Sequence, residues 1–215
     1  MELPFIVNAN HYYYGEWGRK ESPARGRATQ RRFGAQALTV TPAGRRPWMR
    51  WLADGRVSMV QIRKAIIEDA AVSFAIRREA IRARCRDDYP ASDLAVWTSG
   101  DMSETFARRV AEQFHVAVMD GHIVGTGMID LATGRVDAVF VLPEFMGQGI
   151  GRAIMNYLEG LAVSAGLSVI QLDATLNAAS FYRSLGFEGD DRSVYRSSLG
   201  VSLVCVPMVK GLRSI

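Results

Sequence analysis

The chain has 215 residues, enough for one well-buried domain with an appendage and too few for two full domains. Its 48% apolar and 22% charged fractions are those of an ordinary soluble globular protein, and its two cysteines, Cys85 and Cys205, argue against a disulfide framework or a cysteine metal cluster. The net charge of +4 is unevenly placed: residues 1–58 hold ten of the 26 Lys/Arg and four of the 22 Asp/Glu, so the leader is basic and the remainder slightly acidic.

Residues 1–58 carry four of the seven prolines, scattered arginines and no sustained apolar period, which predicts a largely irregular extension. They also carry Tyr12, Tyr13, Tyr14, Trp17, Trp48 and Trp51. Three readings stay open for this leader: an extension docked on the domain, an upstream translation artefact with Met59 as the natural start, or a nucleic-acid-binding arm. Because the remainder is acidic, nucleic acid is not an expected partner of the domain itself. Met1–Phe5 lacks a basic n-region, and Arg31-Arg32 lies too deep in the chain for a twin-arginine signal. No apolar run approaches the roughly 20 residues of a membrane helix. A cytoplasmic setting without membrane association is the expectation.

At Met59 the texture changes, and the expected domain runs over 59–215. Val60–Ala65 alternates as a strand does, and Asp69 is placed to cap a helix carrying Val72, Ile76 and Ala80. A second helical region, between Ser92 and Gln113, is interrupted at Ser99-Gly100, with Ser103 able to cap its second piece. Three strands follow, Phe114–Met119, His122–Leu131 and Arg135–Leu142, punctuated by the turn signals Asp120-Gly121 and Thr133-Gly134. Then come a glycine-rich turn, a helix to about Ala165, a buried strand Ser168–Asp173 and a short helix Asn177–Leu185. Two closing strands flank a polar loop near Ser197–Gly200. The sequence of elements predicts an α/β layered domain around one mixed sheet.

The sharpest local feature is Val141-Leu142-Pro143-Glu144-Phe145-Met146-Gly147-Gln148-Gly149-Ile150-Gly151-Arg152. Glycines at alternate positions let the backbone approach a ligand closely and aim successive N–H groups at it. A helix starting there, with Ile150, Ile154, Leu158 and Leu161 on its buried stripe, offers its N-terminus to a phosphate. A Rossmann turn would need glycine at position 152, which is Arg, and no Gly-Lys-Ser/Thr follows for a Walker loop. The alternative is a tight strand–helix turn and nothing more.

This stretch resembles the acetyl-CoA motif of the GNAT acetyltransferases, a strand ending Val-x-Pro followed by Gln/Arg-x-x-Gly-x-Gly/Ala at the start of a helix. The departure is Met146, where that family has Gln or Arg. Downstream, Asn177-Ala178-Ala179-Ser180-Phe181-Tyr182-Arg183-Ser184-Leu185-Gly186-Phe187 resembles the family's Asn-x-x-Ala-x-x-Phe-Tyr-x-x-x-Gly-Phe, and Met208-x-Lys210 its usual last strand. The likeness covers residues 60–212. It implies a GNAT-like fold, a mixed and mostly antiparallel central sheet flanked by helices, and acetyl transfer from acetyl-CoA to a primary amine, here of a small molecule, by direct attack.

The resemblance also assigns roles. Backbone groups of Phe140, Val141 and Leu142 line the pantetheine arm, with the amide near Val141 polarising the thioester carbonyl. The amides of Gln148, Gly149, Gly151 and Arg152 hold the pyrophosphate. Tyr182 matches the general acid for the departing thiolate; core packing of a Phe-Tyr pair is the alternative. Asn177 matches a pantetheine contact, or is a plain helix N-cap. Asp137, in phase with Val139 and Val141 on its strand, is the candidate base; a solvated strand-end carboxylate is the alternative. His115 and His122 read as surface residues, and no His/Cys/carboxylate cluster has metal spacing, so no metal is expected. The acceptor site falls in the segments Arg86–Thr105, with Tyr89 and Trp97, and Glu188–Gly200, with Asp190, Asp191 and Tyr195, where acidic and aromatic groups would suit a cationic amine. A non-catalytic acyl-CoA-binding regulatory domain is the competing function, and homodimerisation stays open.

Overall fold

The computed structural model describes residues 59–197 and 199–212; the expectations for residues 1–58 lie outside them. The elements run β1 (Gln61–Lys64), α1 (Ala70–Arg84), α2 (Ala91–Trp97), α3 (Glu104–Gln113), β2 (Phe114–Met119), β3 (His122–Asp130), β4 (Arg135–Val141), α4 (Ile150–Ser164), β5 (Val169–Thr175), α5 (Ala179–Ser184), β6 (Ser193–Arg196) and β7 (Ser202–Gly211). Among the described residues the strands form one sheet in the order β1-β2-β3-β4-β5-β7-β6. Every pairing in it is antiparallel except β4 with β5. The mixed, mostly antiparallel sheet flanked by helices is the fold expected above. No described helix is long and apolar enough to cross a membrane.

Two apolar layers cover the sheet. On one side α4 and α5 bury Ile150, Ile154, Met155, Leu158, Phe181 and Tyr182 against Val139, Val141, Ile170, Leu172 and Met208. On the other, α1–α3 bury Phe74, Ile76, Ile81, Trp97, Phe106 and Val110 against Val116, Met128, Ala138 and Phe140. Burial of each large side chain stabilises by about 1.5–3 kcal/mol. The backbone of β3 permits the close approach of α4: a Cβ added at Gly127 would stand 2.4 Å from Ile154 Cγ2, and one at Gly125 3.0 Å from Ile154 Cδ1.

Local signals were met in part. Asp120 (φ 50°) and Gly121 (φ 79°) both take the left-handed conformation that the two-residue β2–β3 turn requires. Ser103 Oγ accepts from Phe106 N at 3.1 Å and caps α3. Asp69, by contrast, makes no cap bond to α1. Its carboxylate turns back to accept from Ile66 N at 2.9 Å and takes a two-pronged bond from the Arg63 guanidinium. Val72 is exposed, because the buried stripe of α1 runs through Ser73, Phe74, Ile76, Arg77, Ala80 and Ile81. Only one face of β5 is buried, with Val169 and Gln171 exposed opposite Ile170 and Leu172.

Candidate active site

The site is laid out by the way β4 and β5 part. Among the described residues the two strands share a single register pair, Arg135↔Gln171, reinforced by Gln171 N donating to Gly134 O at 2.9 Å. Beyond that vertex they diverge toward their C-terminal ends. On the other edge of β4, Leu142 N donates to Val124 O at 2.9 Å beside the pair Gly125↔Val141. In an antiparallel ladder the residues of such a pair point their own N–H and C=O away from each other. Val141, and Val139 two residues before it, therefore turn their backbone groups into the opening left by β5. The chain thus holds a cleft edged by unladdered peptide groups.

At the open end of β4 the glycine turn leads into α4. Gly147 (φ 77°) and Gly149 (φ 78°) take the left-handed region, and Gly149 serves as N-cap, its carbonyl accepting from Ala153 N at 2.9 Å. A Cβ at Gly149 would meet nothing within 4 Å, so the glycine is required by backbone conformation and not by crowding. The first-turn N–H groups of Ile150, Gly151 and Arg152 have no acceptor within a helix, and the helix dipole adds to their pull on an anion. Gln148 Nε2 braces the turn on Glu144 O at 3.2 Å, and Arg152 Nη2 reaches Ser184 Oγ at 3.4 Å, tying α4 to α5. Met146, the departure from the family motif, packs against both apolar layers, as does Leu176 at the end of β5.

The far wall is the segment after β5. Asn177 lies in a short 3-10 turn, and the N-cap of α5 is Ala178, so a plain N-cap role for Asn177 does not hold. Its Oδ1 accepts a weak bond from Cys85 Sγ at 3.6 Å, while Nδ2 is enclosed without a hydrogen-bond partner among the described residues. A buried amide donor left open is costly, about 1–3 kcal/mol, unless a ligand or water takes it. Tyr89 fixes this wall, donating from its hydroxyl to Val204 O at 2.6 Å and accepting from Leu176 N at 3.1 Å.

Tyr182 is fully enclosed, edge-on to Phe181 and Phe187 at centroid distances of 5.1 and 5.6 Å. Burial pushes its phenol well above the ordinary value near 10, so it stays protonated at neutral pH. Phe140 and Val141 are buried on opposite sides of the sheet and Leu142 is half-buried.

Asp137 differs from expectation. Ala138 pairs with Met128 and Val136 with Ile129, which leaves Asp137 as the extra residue of a β-bulge. The bulge reverses the alternation, placing Val136, Val139 and Val141 together on the α4 side. Asp137 instead meets groups of the opposite face: Arg135 Nε donates to its Oδ1 at 2.9 Å, and the same guanidinium donates through Nη2 to Asp173. Tyr195 lies within electrostatic reach of this cluster and also of Arg77. Arg135 was not singled out from the sequence, although Arg135-x-Asp137 on one strand places both on one face, and Asp173 was noted only as lying where a Rossmann fold would carry its ribose-binding acid.

The acceptor segments also differ in detail. Tyr89, Trp97 and Tyr195 are buried core residues, so these aromatics do not stand at a pocket mouth. Asp190 and Asp191 are exposed, and Asp190 pairs with Arg183 at 2.7 Å. His122 is exposed, but His115 is half-buried, its ring 5.1 Å from that of Tyr157. Among the described residues no group of three or more His, Cys, Asp or Glu is arranged for a metal ion.

A parted parallel strand pair, opening on a glycine turn at a helix N-terminus, makes a cleft suited to an extended ligand that ends in a phosphate group. A family model described as an acetyltransferase (GNAT) domain matches residues 85–212. A solved GCN5-related N-acetyltransferase from Rhodopseudomonas palustris is 30% identical, with a TM-score of 0.67, covering 72% of this chain and 97% of that one. A phosphinothricin acetyltransferase from Sinorhizobium meliloti, solved with acetyl-CoA, is 22% identical (TM-score 0.55, 71% and 88% coverage). PaiA N-acetyltransferase from Thermoplasma acidophilum, solved with coenzyme A, is 17% identical (TM-score 0.54, 71% and 99% coverage). The chain belongs to the GNAT acetyltransferase family.

Proposed function

We propose that the protein transfers the acetyl group of acetyl-CoA to the primary amine of a small molecule. Family membership supports acyl transfer from acetyl-CoA; the carrying observation for how it is done is the cleft between β4 and β5, with the backbone of Val141 turned into it. The orphaned Nδ2 of Asn177 and the left-handed Gly147 and Gly149 fit a ligand with amide and phosphate groups. In this reading the Gln148, Gly149, Gly151 and Arg152 amides hold the pyrophosphate, and Phe140–Leu142 and Asn177 hold the pantetheine arm. The Val141 amide donates to the thioester oxygen as it gains charge.

The neutral amine attacks the thioester carbon, an amide bond forms, the C–S bond breaks, and coenzyme A leaves as the thiol. The amine's proton passes to a base, for which Asp137 is the candidate, directly or through water. Tyr182, protonated throughout the working range, is the candidate donor to the departing sulfur.

The test is a panel of primary amines with acetyl-CoA, followed by release of free thiol and by mass of the product. Turnover on at least one amine, with a mass gain on nitrogen, supports the proposal. Binding of acetyl-CoA with no turnover on any amine favours a non-catalytic acyl-CoA-binding domain.

A further inference from the structure

The vertex of the cleft is held by side chains where the ladder stops. Beyond Arg135↔Gln171 the backbones of β4 and β5 no longer pair, and two residues on, the β3–β4 register slips at Asp137. Both irregularities meet at one guanidinium. Arg135 bonds Asp137 on its own strand at 2.9 Å and Asp173 on β5, with side-chain exposures of 24%, 2% and 18% for Arg135, Asp137 and Asp173. Backbone pairing cannot join the strands where they diverge; a long planar fork can, and the two bonds use different nitrogens of it, Nε and Nη2.

We propose that Arg135 is the positioning residue of the cleft, clamping β4 to β5 at the vertex and holding the Asp137 carboxylate in the bulge. This inference rests on the acetyl-CoA reading of the cleft given above. Tyr195 of β6 lies within electrostatic reach of Asp137, Asp173 and Arg135 and also of Arg77 from α1, and Cys205 of β7 lies within reach of Asp173 and Arg135. The Arg135 guanidinium is shared by the carboxylates of Asp137 and Asp173. Removing Arg135 takes from both carboxylates the cation they share, in a poorly hydrated space where uncompensated charge is strongly unfavourable. Arg135 itself stays charged, since its ion pairs outweigh burial and raise it further.

Two readouts that need no acceptor amine test the clamp: calorimetric affinity for coenzyme A, and the titration of Asp137 followed by 13C-carboxyl NMR, its signal assigned with Asp137→Asn. In Arg135→Gln the Asp137 carboxyl should titrate at least about one pH unit higher, because the neighbouring cation is gone. Coenzyme A should bind about tenfold or more weakly. Arg135→Lys should restore most of the titration, as it keeps the charge, and little of the affinity, as it lacks the fork. Asp173→Ala, which keeps the Arg135–Asp137 bond and removes the β5 acceptor, should weaken coenzyme A binding without raising the Asp137 titration, and it decides the matter if Arg135→Gln does not fold. Wild-type affinity in folded Arg135→Gln, or in Asp173→Ala, overturns the clamp. Absence of coenzyme A binding by the unmodified protein would instead overturn the reading of the cleft beneath it.

Discussion

Tyr182, fully buried beside Phe181 and Phe187, is the candidate acid for the departing thiolate. If its hydroxyl supplies the proton to the departing sulfur, Tyr182→Phe should lower kcat by roughly 10- to 1,000-fold while acetyl-CoA affinity hardly changes, because the ring keeps its packing on Phe181 and Phe187. Wild-type turnover in the Phe variant, with chemistry limiting, would leave Tyr182 a packing residue. The two cysteines make a second prediction. Burial pushes Cys205 up to about 11 and holds Cys85 deep in the α1 layer, also raised, so both thiols stay protonated at neutral pH. Iodoacetamide at pH 7.5 should leave the folded protein unmodified and label both cysteines in urea; fast labelling of the native protein would refute this. Residue identities were largely legible in the sequence, for the Val-x-Pro strand end, the glycines and the Phe-Tyr pair are read without knowing packing. Orientation was not. Nothing in Arg135–Val141 marks a bulge, since the pattern of side chains alternates plausibly in either phase, and only the slip against β3 turns Asp137 toward Arg135.

Among the elements, α4 is seated by glycines facing it from β3. Gly127→Ala should lower stability by about 1–3 kcal/mol, because the new methyl drives into Ile154 and the helix must move. Gly149→Ala meets no atom and should cost only about 1 kcal/mol of backbone strain, yet weaken acetyl-CoA binding by disturbing the turn that presents the amides. Equilibrium denaturation and calorimetry on the pair separate packing from binding; the opposite ranking would mean that the turn does not hold the ligand. At the β2–α4 contact, burial and the nearby Lys64 lower the ionisation of His115 below its ordinary 6.5. The unfolded chain then takes up a proton first as pH falls, so His115 subtracts stability progressively from about pH 7 down to its folded pKa and by a constant amount below it. His115→Gln should flatten this limb of Tm against pH. Element boundaries followed from turn chemistry at Asp120-Gly121 and Ser103. Tyr89, Trp97 and Tyr195 were misplaced at a pocket mouth because amphipathic aromatics suit both a core and a binding site, and composition does not choose between them.

For the whole molecule, a chain comprising residues 59–215 should fold and keep the acetyl-CoA affinity of the full sequence, since the cleft, the glycine turn and both apolar layers lie within the described residues. An insoluble 59–215 would show that the leader's aromatics cover part of the core. The most direct measurement is a calorimetric titration of the full-length protein with acetyl-CoA at neutral pH. One site per chain, with a Kd roughly between 1 µM and 1 mM and abolished by competing coenzyme A, is the predicted result. No heat and no saturation at millimolar acetyl-CoA would contradict it, because the parted strands and the glycine turn would then hold no acyl-CoA at all.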